Sequence, residues 1–203
     1  MVCRINRSNP LVWLTICVLA GCGKTIQMEP EMADPQAAAT QAAGDERYDR
    51  AMAALENNEL TEAQTILDEL AQLRPDSVGV WINLGLVHFK RQDLDSAQKA
   101  VDEALQLAPD VAEGLNLKGL IEYQRGHIQA ARDYYQAALR QNADYGLAHY
   151  NLALVYDVYF RDIAKALKHY RRYLALDGQG DEETVVWVEE LEATLRRSTD
   201  RHQ

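Results

Sequence analysis

Ala63, Ala97 and Ala131 stand 34 residues apart, and Pro75 and Pro109 keep the same interval twelve positions further along. A fixed period of this length marks a repeat architecture, in which each unit is one supersecondary element that cannot cover its apolar face alone and so stacks on its neighbours. Four passes are legible: Asp45 to Pro75, Val78 to Pro109, Ala112 to Ala143 and Gly146 to Asp177. The fourth carries one extra residue, which moves its alanine to Ala166.

Within a unit the apolar spacing is that of a helical hairpin. Trp81, Leu84, Gly85 and His88 recur every three or four residues, Lys90-Arg91-Gln92-Asp93 interrupts as a polar turn, and Leu94, Ala97, Val101 and Ala104 line a second helix. Pro109 ends that helix, because its ring removes a backbone donor and disfavours helical geometry in the residue before it. Gly85, Gly119, Ala51 and Ala153 on first helices, with Ala63, Ala97, Ala131 and Ala166 on second helices, are small where two helices must cross closely. Trp81, Leu115, Leu67, Val101, Tyr135 and Tyr170 then fill the space between hairpins.

Trp81, Leu84, Gly85, Ala97, Val101, Ala104 and Pro109 together resemble the signature of the tetratricopeptide repeat family, in register over about two thirds of the chain. The resemblance implies an all-α solenoid of about four hairpins spanning residues 45–177, with a concave groove built mostly by first helices. In that family the groove holds peptides or partner helices. Its positions, carried onto this chain, are Tyr48, Met52 and Leu55, then Ile82, Leu86 and Phe89, then Asn116, Leu120 and Tyr123, then Tyr150, Leu154 and Asp157. Tyr48, Ile82, Phe89, Asn116, Tyr123, Tyr150 and Asp157 are the candidate binding residues, while Met52, Leu86, Leu120 and Leu154 suit the hairpin interfaces equally well. The basic clamp by which some members grip a terminal carboxylate is missing, since only Asn83 matches it. Arg47 and Arg50 occupy positions that are apolar in the second unit, as suits a terminal unit. The extra residue of the fourth unit predicts a bulged or lengthened turn around Val158 to Asp162.

The first 21 residues have the layout of a signal peptide: Arg4 and Arg7, a short apolar run from Leu11 to Leu19, then small residues. That run is too short to span a bilayer. Leu19-Ala20-Gly21-Cys22 resembles the lipobox of bacterial lipoproteins, which implies cleavage before Cys22 and lipidation of its thiol and amine. Two or more acyl chains make such an anchor stable. Gly23 stands where an aspartate commonly retains enteric lipoproteins at the inner membrane, so the resemblance favours the outer membrane, facing the periplasm. Residues 22–44, rich in alanine, glutamine and proline, read as a flexible tether with a reach on the order of 25 Å.

At the other end, residues 178–203 read as a capping helix opened by Asp181-Glu182-Glu183, with Val185, Val188, Leu191 and Leu195 as its inner stripe and a frayed end from Arg196. A helix that docks a partner is the alternative.

Chemistry is sparsely represented. Cys3 and Cys17 leave with the signal and Cys22 carries lipid, so no thiol remains for a disulfide, a metal cluster or a nucleophile. His88, His127, His149, His169 and His202 lie on different helices and turns with no shared ligand spacing. No serine sits in a nucleophile turn, and Gly23-Lys24-Thr25 lacks the strand and first glycine of a phosphate loop. No cofactor, metal, catalytic residue or small-molecule substrate is therefore expected. Removing Arg4 and Arg7 shifts the formal charge from −10 to −12, which disfavours nucleic acid and anionic headgroups as partners. The expectation is a noncatalytic, lipid-anchored scaffold for protein partners. By resemblance it joins short lipoproteins such as the pilotins of type IV pilus systems, which help a secretin assemble; the alternative is an adaptor that recruits peptidoglycan hydrolases or synthases.

Overall fold

The computed structural model describes residues 35–176 and 181–200, with side chains described for 46–176 and 181–197. The leader, Cys22 and residues 23–34 lie outside the described residues, as do 177–180. Helices α1 (Pro35–Glu56), α2 (Leu60–Leu73), α3 (Val78–Lys90), α4 (Leu94–Leu107), α5 (Ala112–Gln124), α6 (Ile128–Gln141), α7 (Gly146–Val155), α8 (Ile163–Leu176) and α9 (Glu182–Asp200) follow one another, with a π-helical segment, Tyr156–Phe160, between α7 and α8. Consecutive helices pair as four hairpins, each packs on the next, and α9 packs on α8. First helices also lie against one another, α3 with α5 and α5 with α7. The expected solenoid of four hairpins and a cap is thus the fold.

Close crossing is built from the absence of side chains. A Cβ on Gly119 would sit 2.5 Å from the Tyr135 ring, and one on Gly85 would sit 2.9 Å from Val101 Cγ2. Tyr135 and Val101 are fully buried, so the second helix delivers its large residue into the notch that the first helix leaves. Ala63, Ala97, Ala131 and Ala166 have no exposed surface either. Trp81 fastens the link between units differently, its indole N–H donating to the Pro75 carbonyl at 2.8 Å. Lys118 is buried and paired with Asp102 of α4.

The hairpin turns share one backbone device. Asn58, Gln92 and Gly126 adopt positive φ of 60°, 64° and 81° at 34-residue intervals. Arg161 (φ 52°) repeats it one residue late, after the π segment. The extra residue of the fourth unit is therefore absorbed as the wider π turn, in line with the bulged turn expected there. Asp93 and Asp162 then cap α4 and α8, accepting from the Ser96 and Lys165 backbone N–H groups at 3.1 Å each.

Both ends correct the sequence expectation. Helix α1 begins at Pro35, ten residues ahead of the expected boundary at Asp45, so the stretch 35–44 is helical where a flexible chain was expected. Proline is tolerated at a first helical position, and Ala37 to Ala39, Ala42 and Ala43 are the strongest helix formers, but alanine gives no stripe for a periodicity reading to find. In α9 the inner face is Thr184, Trp187, Val188, Leu191 and Leu195, with Trp187 against Tyr170 at 5.7 Å and Val185 exposed. Asp181 caps this helix, accepting from the Thr184 N–H at 3.0 Å and its hydroxyl at 2.8 Å, and that pins Thr184 inward. The helix runs to Asp200.

Two substitutions test this account. Gly119→Ala should cost about 2 kcal/mol, because the buried Tyr135 ring has nowhere to go. Gln92→Gly should raise the urea midpoint, stabilising by about 0.5 kcal/mol through relief of the left-handed backbone.

Candidate functional site

The first helices, with the π segment that follows α7, carry two columns of residues at the repeat period: Tyr48, Ile82, Asn116 and Tyr150, and Leu55, Phe89, Tyr123 and Asp157. Ile82, Leu86 and Phe89 are half-buried, with one side resting on Ala97, Val101, Leu117 and Ile121. Tyr48 is half-buried over the first core, where the Asn83 side-chain amide donates to its hydroxyl at 2.7 Å and to the Gly79 carbonyl at 2.9 Å. Burial raises the Tyr48 pKa. Met52, Leu86, Leu120 and Leu154 are likewise half-buried.

Asn116 departs from the expectation. It is only 4% exposed, and its side-chain carbonyl accepts from the Asn151 amide at 3.0 Å across the seam between the third and fourth units. Buried amides are kept where both partners are satisfied, so Asn116 serves the interface and is withdrawn from the candidate surface.

The C-terminal end of this face is aromatic. Tyr123 meets the edge of Tyr159 at 5.7 Å, and Tyr150 packs edge-to-face with Tyr170 at 5.9 Å and Tyr173 at 5.0 Å. Tyr123 and Tyr150 are half-buried and Tyr159 is exposed. Burial, with a hydrogen bond to Tyr159, pushes the Tyr123 pKa up to about 12. Asp157, half-buried on the π segment, has no hydrogen bond or ion pair among the described residues, and burial raises its pKa. The Tyr170 hydroxyl, fully buried beside this group, also lacks a partner among the described residues. Tyr159 was missed as a site residue because it falls in the turn; the extra residue in the fourth unit was the signal available.

The topology also joins two histidines that the sequence spacing left apart. His149 Nε2 donates to the Ala143 carbonyl, which can only accept, at 3.0 Å. Its Nδ1 is then the acceptor, and the His169 Nδ1–H donates to it at 2.8 Å. The Tyr156 ring stacks on His169 at 5.8 Å, and the Tyr156 hydroxyl accepts from Gln136 at 2.9 Å. Burial, then the His149 and Lys168 charges, lower the His169 pKa to about 4. Among the described residues, no group of three or more His, Cys, Asp or Glu could hold a metal ion.

Two family models, both described as tetratricopeptide repeat, match residues 48–112 and 84–155. Among solved structures, the PilF protein of Pseudomonas aeruginosa is similar with a TM-score of 0.68 at 19% identity, over 77% of this chain and 71% of that one. A thermophilic TPR protein of Thermus thermophilus is similar at 0.64 and 16%, over 75% and 82%. Yeast Tom70 is similar at 0.62 and 17%, over 74% of this chain and 33% of its own. At these identities the likeness shows the fold alone. No curated protein matches the chain.

The histidine pair sets a pH dependence. His169 is neutral when folded and regains a pKa near 6.5 when unfolded, so the unfolded chain binds the extra proton between about pH 6.5 and 4. Its contribution is complete above that window and falls as the pH drops through it. Urea midpoints should therefore decline more steeply for the parent than for His169→Phe between about pH 7 and 5; parallel curves would contradict the assignment.

Proposed function

We propose that this chain, built of tetratricopeptide repeats, is a noncatalytic scaffold that holds a protein partner on its first-helix face while a lipid on Cys22 keeps it at the bacterial outer membrane. Repeats of this kind imply a protein–protein interaction scaffold. The observation that carries the reading is the run of partly exposed apolar and aromatic side chains on successive first helices, Ile82 and Phe89 followed by Tyr123 and Tyr150. Such a surface suits a segment that buries a few large anchors while its rim stays polar.

The finer assignment is to assembly of an envelope complex of the type IV pilus or secretin kind, with the chain facing the periplasm. Two features support it: the lipobox-like tetrad ending at Cys22, and a fold shared with the PilF structure from Pseudomonas aeruginosa. Nothing in the fold favours recruitment of peptidoglycan enzymes, which crosslinking would reveal.

Three measurements test the proposal. Crosslinking and mass spectrometry in native membranes should recover secretin or pilus subunits; wall hydrolases or synthases in their place would reassign the function. Cys22→Ser should abolish labelling by a fatty-acid probe, and continued labelling would remove the anchor. Phe89→Ala combined with Tyr123→Ala should weaken partner capture at least tenfold with little loss of unfolding cooperativity. Collapse of both together would make these side chains core.

A further inference from the structure

We infer that the C-terminal end of the first-helix face is a receptor for one cationic side chain, a lysine or an arginine, of the partner segment. This rests on the face being the binding surface and adds the chemistry of what it selects.

The first observation is the change of character along one column. Leu55, Phe89 and Tyr123 are followed, at the same repeat position, by Asp157. A carboxylate removed from water costs free energy unless donors or a cation compensate it. Asp157 is half-buried and has neither among the described residues. Burial holds its pKa above the usual carboxylate value, so at neutral pH its charge works against folding. Its charge is thus kept at a cost to stability, and a ligand that compensates it only on binding gives that cost a use.

Four cations of this end of the molecule are engaged elsewhere. Arg132 lies over the Phe160 ring at 5.1 Å and pairs with Asp133, while Lys165 pairs with Asp162 and lies over Tyr156. Arg171 pairs with Glu192 and Arg172 with Asp144. Further negative charge adds to the field, since Asp181 and Glu183 are close enough to raise the Tyr150 pKa.

The second observation is the aromatic character of the same end of the face. Tyr123, Tyr150 and Tyr159 leave part of their surface open, and aromatic faces attract ammonium and guanidinium groups. The buried Tyr170 hydroxyl has no partner among the described residues, and of the charges that act on it that of Asp157 is the largest. In the assigned complex the methylene stem runs between tyrosine rings and the cation donates to the Asp157 carboxylate. The π segment makes this arrangement possible: its wider turn carries both Asp157 and Tyr159, and π turns recur at functional sites. An acidic chain also steers positively charged partners towards itself.

The test uses the full chain and a phage-displayed library of random dodecapeptides. Selected peptides should share a lysine or arginine. In synthetic copies, norleucine at that position and Asp157→Asn in the protein should each weaken binding at least tenfold, and the two losses should not add, because they remove the same contact. Asp157→Glu should retain most of the affinity. The melting temperature of Asp157→Asn should stay level or rise by roughly a degree or two, since an uncompensated charge has been removed. Peptides that bind through Phe89 but carry no basic residue, or ignore Asp157→Asn, would overturn this inference and leave the scaffold reading standing. Peptides insensitive to both Phe89→Ala and Asp157→Asn, or no selected peptides, would overturn both. A drop of several degrees for Asp157→Asn would make the carboxylate structural and also refute the inference.

Discussion

Everything in this molecule depends on the two helices of a hairpin approaching closely, so that one unit can then be covered by the next. Gly119 and Gly85 provide that approach by presenting no side chain, and Tyr135 and Val101 fill the notches that result. A single hairpin would still leave an apolar face in water; stacking covers that face, and stability becomes a sum over units and seams. At the C-terminal end α9 takes the place of a further unit, laying Trp187 and Val188 over Tyr170 and its neighbours.

Regular stacking has a consequence for function. Identical positions on successive first helices are brought onto one face, so a column of the sequence becomes a line on the surface. Departures from the repeat then stand out as local chemistry. One added residue widens the turn after α7 into a π segment, and the same segment carries Asp157, Tyr159 and Phe160. The three earlier hairpins turn without such a segment, with Asn58, Gln92 and Gly126 in the left-handed region. Scaffold regularity and site individuality therefore come from the same register, kept in three units and broken in the fourth.

Much of this was legible in the sequence because it depends on period. The 34-residue spacing of Ala63, Ala97 and Ala131 carried the hairpins, the small crossing residues and the position of the irregular turn. What was not legible depends on which groups the fold brings together across helices. Asn116 looked like a surface residue by its column, yet Asn151 of the next unit claims its side chain. His149 and His169 share no ligand spacing, and only hairpin closure sets their Nδ1 atoms 2.8 Å apart. The left-handed turn positions escaped notice because glycine fills just one of the four. In α9, Val185 and Thr184 belong to overlapping stripes, and the choice between them is made by Asp181, whose carboxylate draws Thr184 inward. Helix α1 extended past its expected start since alanine favours helix without marking a face.

The central claim is that a partner lies along the first helices and ends at the π segment. Photo-crosslinking in native membranes, with a photoreactive residue placed in turn at Ile82, Phe89, Tyr150 and Val158 and at Lys99, Asp133 and Lys168 of second helices, tests it most directly. The account predicts adducts with one partner from the first group and none from the second. Adducts confined to the second-helix positions would contradict it.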